Sequence, residues 1–328
     1  MALPVALICH QPRLYLLPLA PLLLATVAHL LHSSYASYRA FLRMGPGAFP
    51  PTVTGWALAW LCRAVGLGRD REGDRKRWVE EVERQVEGEK REGGEGLVGW
   101  LREEDVPARK GEEPVLCEFP IPQRHPLQAP NSKLAEAQLA HLQSLASSHP
   151  TLLTLSQSRL EQHGPALFCA PSSPLSSAPS ASAEDRFLTG GEIVHLHEGP
   201  YAFPHERAFL TAAGLPPAPS AESAKTPSSS SFTPGLAPQS LHLTLSPPDA
   251  ALVLSRGWGV RHPMSGYHPP FWARWLFGAG EKRTRGKGIP LPEGYVMIYA
   301  PRDEEELKVV ERAFEASCAW MAGMEVEQ

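Results

Sequence analysis

Ser240-Leu241-His242-Leu243-Thr244-Leu245-Ser246 alternates without a break. Leu241, Leu243 and Leu245 fall on one face, His242 and Thr244 on the other, which is the two-residue period of a half-buried strand. Glu192-Ile193-Val194-His195-Leu196-His197 reads the same way and sends His195 and His197 to one face. Tyr295 to Tyr299 reads as a further strand, and Leu160 to Cys169 as a strand or strand pair. Ser132 to Leu145 places Leu134, Leu139, Leu142 and Leu145 close to helical period, Phe203 to Gly214 reads as a helix, and Pro248 to Arg256 predicts a short helix stopped at Gly257. Asp303 with Glu306 three residues on predicts a capped last helix with a stripe of Leu307, Val310, Phe314, Ser317 and Met321, ended by Gly323. Short strands interleaved with packed helices predict an α+β fold with a mainly antiparallel sheet.

Around this regular part the chain changes character. Of 328 residues 34 are Pro, and 43 % are hydrophobic, so a sizeable core is affordable and the Pro excess has to be local. Pro171 to Ala183 and Pro216 to Pro238 are Ser/Pro-rich and predict flexible loops, since neither can bury enough apolar surface to offset ordering. Arg69 to Glu113 holds 11 basic and 15 acidic residues, a pattern of a solvated helix and loop, with Trp78, Val82 and Val86 as one apolar stripe. The formal net charge of −4 argues against a nucleic-acid partner. Cys9, Cys62, Cys117, Cys169 and Cys318 are scattered and form no C-x-x-C, so isolated buried thiols are expected.

Leu14 to Leu31 carries no charge over 18 residues, long enough for a membrane anchor. Arg39 and Arg43 after it, against Arg13 before it, would put the rest of the chain in the cytosol. A cleaved signal peptide is the rival reading. Val53 to Leu61, with Trp56 and Trp60, is too short to span and reads either as an interfacial or as an ordinary packed helix. The expected organisation is an anchor over 1–34, a charged membrane-proximal region over 35–130, and an α+β domain over 131–328.

The candidate chemistry lies in His195, His197, His242 and the Gly-punctuated stretch Gly257-Trp258-Gly259-Val260-Arg261-His262-Pro263. Three readings of it stay open. The histidines could ligate a metal, as His-x-His on a strand often does. A cupin-type pattern, however, would want an acid where Tyr201 and Ala202 stand, and no H-E-x-x-H occurs. They could act as acid/base groups on an organic substrate, with an ordinary pKa near ~6.5, Arg261 stabilising an anion and Trp258 as an aromatic wall. Or they could only hydrogen-bond within the sheet. No G-x-S-x-G elbow, P-loop or G-x-G-x-x-G is present.

Gly191 to His197, Ser240-Leu241-His242-Leu243, the string Gly257-Trp258-Gly259-Val260-Arg261-His262-Pro263 with Gly266, Tyr299-Ala300-Pro301-Arg302 and Met321 resemble the fungal luciferase family. An apolar N-terminus followed by Tyr38-Arg39-Ala40-Phe41-Leu42 and Gly45-Pro46 is similar too. The resemblance implies a membrane-associated oxidoreductase of monooxygenase or dioxygenase type, at the endoplasmic reticulum with its catalytic domain cytosolic. It implies oxidation of an enolic α-pyrone, 3-hydroxyhispidin in luminous members, by molecular oxygen as co-substrate, with no metal or flavin cofactor. His195, His197, His242, Arg261 and His262 would then be catalytic, and Trp258 and Glu192 would touch a small aromatic or polyketide substrate. The stretches Glu198 to Gln239 and Arg274 to Gly288 are insertions relative to that pattern and bear on the substrate more than on the fold, and since many members of the family belong to fungi that do not glow, bioluminescence does not follow from the resemblance. A non-catalytic membrane-tethered binding protein and a His-ligated metal enzyme are the alternatives.

Overall fold

The structure, a computed structural model, describes residues 19–44, 49–50, 52–64, 71–91, 98–114, 116, 119–121, 123, 132–161, 164–173, 187–197, 240–266 and 291–326. The predicted helix over 203–214, both insertions and most of the two Ser/Pro loops lie outside these residues, as do Cys9 and Cys117.

Six α-helices are described: α1 (Leu19–Arg43), α2 (Val53–Cys62), α3 (Arg71–Arg91), α4 (Ser132–Ser148), α5 (Pro247–Ser255) and α6 (Glu304–Ala322). Six strands, β1 (Leu153–Gln157), β2 (Pro165–Cys169), β3 (Glu192–Leu196), β4 (Leu241–Thr244), β5 (Gly259–Arg261) and β6 (Tyr295–Ile298), form one antiparallel sheet in the order β1-β2-β3-β4-β6-β5. The α+β architecture is thus as the alternation predicts. Two strands escape the sequence pattern. β1 is an edge strand whose Thr154, Ser156 and Gln157 are not buried, so it carries little apolar signal. β5 lies inside the stretch read as a loop. Its Gly259 pairs opposite Ile298, where a Cβ would run into the Met297 carbonyl, so this glycine permits strand closure rather than ending it.

The sheet has two unlike faces. Val194, Leu196, Leu241, Leu243, Val296 and Ile298 turn to the helices and form one core with Leu139 and Leu142 of α4, Val253 and Leu254 of α5, and Val310 and Phe314 of α6. Val79 and Val82 of α3 join the same core, so the charged 35–130 region also supplies apolar packing to it. α6 is capped as its sequence predicts: the Asp303 side chain accepts from the Glu306 N–H, and Gly323 takes the left-handed conformation at φ 70°. The opposite face carries His195, His242 and Met297 in one row across three strands.

The first two helices form a smaller cluster. Phe41, Met44, Ala59 and Phe119 are buried together, and the indole N–H groups of Trp56 and Trp60 donate to Ser37 Oγ at 3.2 and 2.9 Å. The transmembrane reading of Leu14 to Leu31 finds no support: among the described residues no helix is long and apolar enough to cross a membrane. Leu14 to Pro18 of that stretch lie outside the described residues, and the part that is described belongs to α1. Among the described cysteines, Cys62, Cys169 and Cys318 are unbridged, and burial pushes the Cys169 thiol up to about 12.

Candidate functional site

Four imidazoles meet on the polar face of the sheet. The ring centres of His195 and His242 are 5.1 Å apart, those of His197 and His242 4.6 Å, and those of His242 and His262 5.0 Å. The first two distances follow from strand pairing, because His195 stands opposite His242 in the β3–β4 register and His197 lies two residues on. His262 arrives from just beyond β5, where its N–H donates to the Tyr295 carbonyl. All four are buried, His195 most of all at 1 % exposed.

Their ring nitrogens are directed. His195 Nε2 and His197 Nε2 lie 3.1 and 2.8 Å from one atom, His242 Nδ1. The other nitrogen of each ring meets an oxygen: His195 Nδ1 and Glu192 Oε1 at 2.6 Å, His197 Nδ1 and Ser240 Oγ at 2.8 Å, His242 Nε2 and Gln123 Oε1 at 3.1 Å. His262 differs from these three. Its Nδ1 accepts from the Met264 N–H at 3.1 Å, so the neutral ring carries its proton on Nε2 and presents a donor there. Tyr295 stacks on His242 at 5.3 Å and 15° and meets His262 edge-on.

Glu192 reaches this face through a β-bulge. Phe168 pairs with Glu192 while Leu167 pairs with Val194, so Ile193 is the extra residue on β3. The bulge resets the alternation and puts Glu192 on the same side as His195, three residues away. The Glu192 carboxylate also accepts from Ser158 Oγ at 2.9 Å and from the N–H groups of Arg159 and Leu160. Burial disfavours its charge, but these donors together with His195 outweigh that and hold its pKa below the ordinary 4.5. Four donors fill a carboxylate's acceptor sites, so Glu192, expected at the substrate, is placed as the group that orients His195.

Two other expected site residues go elsewhere. Arg261 pairs opposite Val296 and therefore leaves the helix side of the sheet, where its guanidinium lies over the Trp78 ring at 4.8 Å. Its neighbour His262 takes the other face, because successive strand side chains alternate. Trp258 belongs to the helix-side core, donates its indole N–H to the Pro107 carbonyl at 2.6 Å, and has the Arg109 guanidinium over its ring. The aromatic surface beside the histidines is Tyr295 instead. Sequence reasoning missed Tyr295, although it pairs opposite Thr244 and so shares the His242 face. It also missed Glu161 and Gln123, which reach the site from distant irregular segments with no local signal.

Residues 234–317 match the luciferase domain family. The chain is similar to fungal luciferases over most of its length. Over 294 residues it is 28 % identical to a luciferase of Armillaria ostoyae, an alignment covering 87 % of this chain and 80 % of that protein. It is 25 % identical to a luciferase of Neonothopanus nambi, covering 87 % and 79 %. No solved structure matches. The luciferase-domain match takes in His242, His262 and Tyr295, whereas His195 and His197 precede it.

Proposed function

We propose that this luciferase-like protein is an oxygenase that oxidises an enolic α-pyrone, or a related polyketide or phenol, with molecular oxygen. The observation that carries the reading is the convergence of His195, His197, His242 and His262 beside the Tyr295 ring, on the sheet face opposite the helix-packed core. The substrate class comes from the resemblance to luciferases. In this reading the coupled ring nitrogens of His195, His197 and His242 take the enol proton as a unit. The enolate carbon then supplies the electron pair of a new C–O bond, oxygen is reduced to a peroxide anion, and the proton returns to that anion. His262 Nε2–H is a donor suited to the negative oxygen. Tyr295 supports binding of a flat ring by stacking. For the N-terminal end, the exposed Leu22, Leu23, Leu24, Leu30 and Leu31 of α1 support a proposal of attachment to a membrane.

The test is oxygen consumption and photon counting with the full chain, 3-hydroxyhispidin and related pyrones. Stoichiometric oxygen uptake with product formation is expected. Saturable pyrone binding with no uptake would leave a binding protein and overturn the oxygenase reading.

A further inference from the structure

The inward nitrogens of His195, His197 and His242 share their space with a fourth donor. Glu161, from the turn between β1 and β2, places Oε1 3.9 Å from His195 Nε2. One ligand atom from each of Glu161, His195, His197 and His242 lies within 4.8 Å of the others, and all four residues are buried. We propose that these four residues bind one divalent first-row transition-metal ion of the zinc or iron(II) class. The inference goes beyond the oxygenase reading and alters it at one point: with an ion bound, the three inward nitrogens are its ligands and no longer the proton acceptor of that reading.

Three observations carry it. The first is the outer ring of contacts. A metal-bound His characteristically hands its remote N–H to a carboxylate, hydroxyl or carbonyl oxygen. Glu192, Ser240 and Gln123 each supply such an oxygen, one per ring, to the nitrogen that faces away from the cluster.

The second is the proton count. With those remote nitrogens protonated, three neutral rings turn lone pairs toward one another at 2.8 and 3.1 Å. Ser240 can act as donor, so His197 can keep its proton on Nε2 and satisfy one contact. With Gln123 presenting its Oε1 to His242 Nε2, the His195–His242 contact is then still two lone pairs, which a bound cation satisfies. Glu161 adds a buried carboxyl group to the three rings, an oxygen donor whose charge suits a dication.

The third is fit. Tetrahedral ligation at ordinary zinc–nitrogen lengths separates nitrogens by about 3.3 Å, so the 2.8 and 3.1 Å ring contacts open by tenths of an ångström while Glu161, 3.9 Å from His195 Nε2, closes in. A 3N+1O set also suits iron(II), where six-coordination leaves two positions open. Two of the four ligands come from paired strands, which fixes His195 and His242 in register.

The test uses full-length protein purified without an affinity tag. Elemental analysis after metal-replete expression is expected to give about one ion per chain. After chelation, titration with Co2+ is expected to saturate at one equivalent with visible ligand-field absorption. Ser240→Ala and Gln123→Ala keep all four ligands and are expected to weaken Co2+ about 10–100-fold with the circular dichroism spectrum unchanged. His32→Ala, in α1, is expected to bind as the parent does. Absence of saturable Co2+ binding by the folded parent would overturn the proposal and leave a protonated histidine cluster. So would full binding retained in a His195→Ala/His242→Ala double variant.

Discussion

His195 and His242 stand directly opposite each other on β3 and β4, and their facing nitrogens, Nε2 and Nδ1, lie 3.1 Å apart. The backbone ladder sets that distance, so it does not depend on a loop finding the right shape. Three further pieces of backbone aim the remaining groups. The Ile193 bulge turns Glu192 onto His195, the end of β3 carries His197 to the same Nδ1, and the turn after β1 brings Glu161. The paired strands therefore hold the histidine face, while its partners come from β3 itself and from the turn after β1.

Replacing Glu192 removes the acceptor for four donors at once. Glu192→Ala leaves the His195 ring and the Ser158 hydroxyl buried without their carboxylate, and is expected to lower the unfolding free energy by about 3 kcal/mol. Glu192→Gln keeps acceptor capacity at Oε1 and should lose less. Urea denaturation of both variants checks this. A loss below about 1 kcal/mol for the alanine would show that the bulge and its network do not support the fold.

Two-residue alternation alone put His195 and His197 on one face of their strand and His242 opposite the leucines of its own, and their convergence follows once those strands pair. Register was not legible. Whether Arg261 or His262 shares the His242 face depends on where β5 meets β6, which a three-residue strand with a Gly at its start does not announce. Glu192 was legible as a strand residue, but regular alternation aims it away from His195. Only the extra residue at Ile193 brings it back. Glu161 and Gln123 are legible as nothing in particular, because their meaning lies entirely in contacts with residues 34 or more positions away.

Glu306 ties the N-terminal turn of α6 to two arginines. Arg109 Nη2 donates to its Oε2 at 3.1 Å, and the Arg302 guanidinium binds Oε1. Burial raises the Glu306 pKa less than these donors lower it, so the group titrates below 4.5 in the folded protein. Its stabilisation is therefore present above the unfolded value and is lost as pH falls through the lowered folded value. Glu306→Gln is expected to lose roughly 2–3 kcal/mol at pH 7, with the gap to the parent closing below about pH 4. Thermal melts from pH 3 to 7 measure it, and a gap that stays constant with pH would refute the ionic origin.

Asp249 joins α5 to the segment before Val106. Its carboxylate accepts from the Trp100 and Leu101 N–H groups at 2.9 and 2.8 Å and from Ser246 Oγ at 2.7 Å. Burial pushes its pKa up in spite of these donors, so the charge itself is not what the fold gains from it. Asp249→Asn is expected to stay within about 1 kcal/mol of the parent, and Asp249→Ala to lose about 2 kcal/mol. Gly99→Ala tests the same contact from the other side, since a Cβ at Gly99 would press on Asp249 Oδ1. Equal losses for the Asn and Ala variants would show that the charge matters after all.

Arg261 and His262 are adjacent in sequence, and the sheet separates them. Arg261 rests on Trp78 and donates through Nε to the Glu293 carbonyl, whereas His262 stands 5.0 Å from His242 and edge-on to Tyr295. The two substitutions should therefore fail in different ways. His262→Gln is expected to cut oxygen uptake about 100-fold or more, the scale of losing one positioned proton donor, with little change in melting. Arg261→Met keeps an apolar stem on Trp78 and loses the cation–π contact and the hydrogen bond to the Glu293 carbonyl, so turnover should fall less than about threefold and stability by about 1 kcal/mol. Steady-state oxygen uptake beside a melting curve separates the two. A hundredfold loss of kcat in Arg261→Met with an unchanged melt would return the guanidinium to the reacting anion, and the face assignment of β5 would then be wrong.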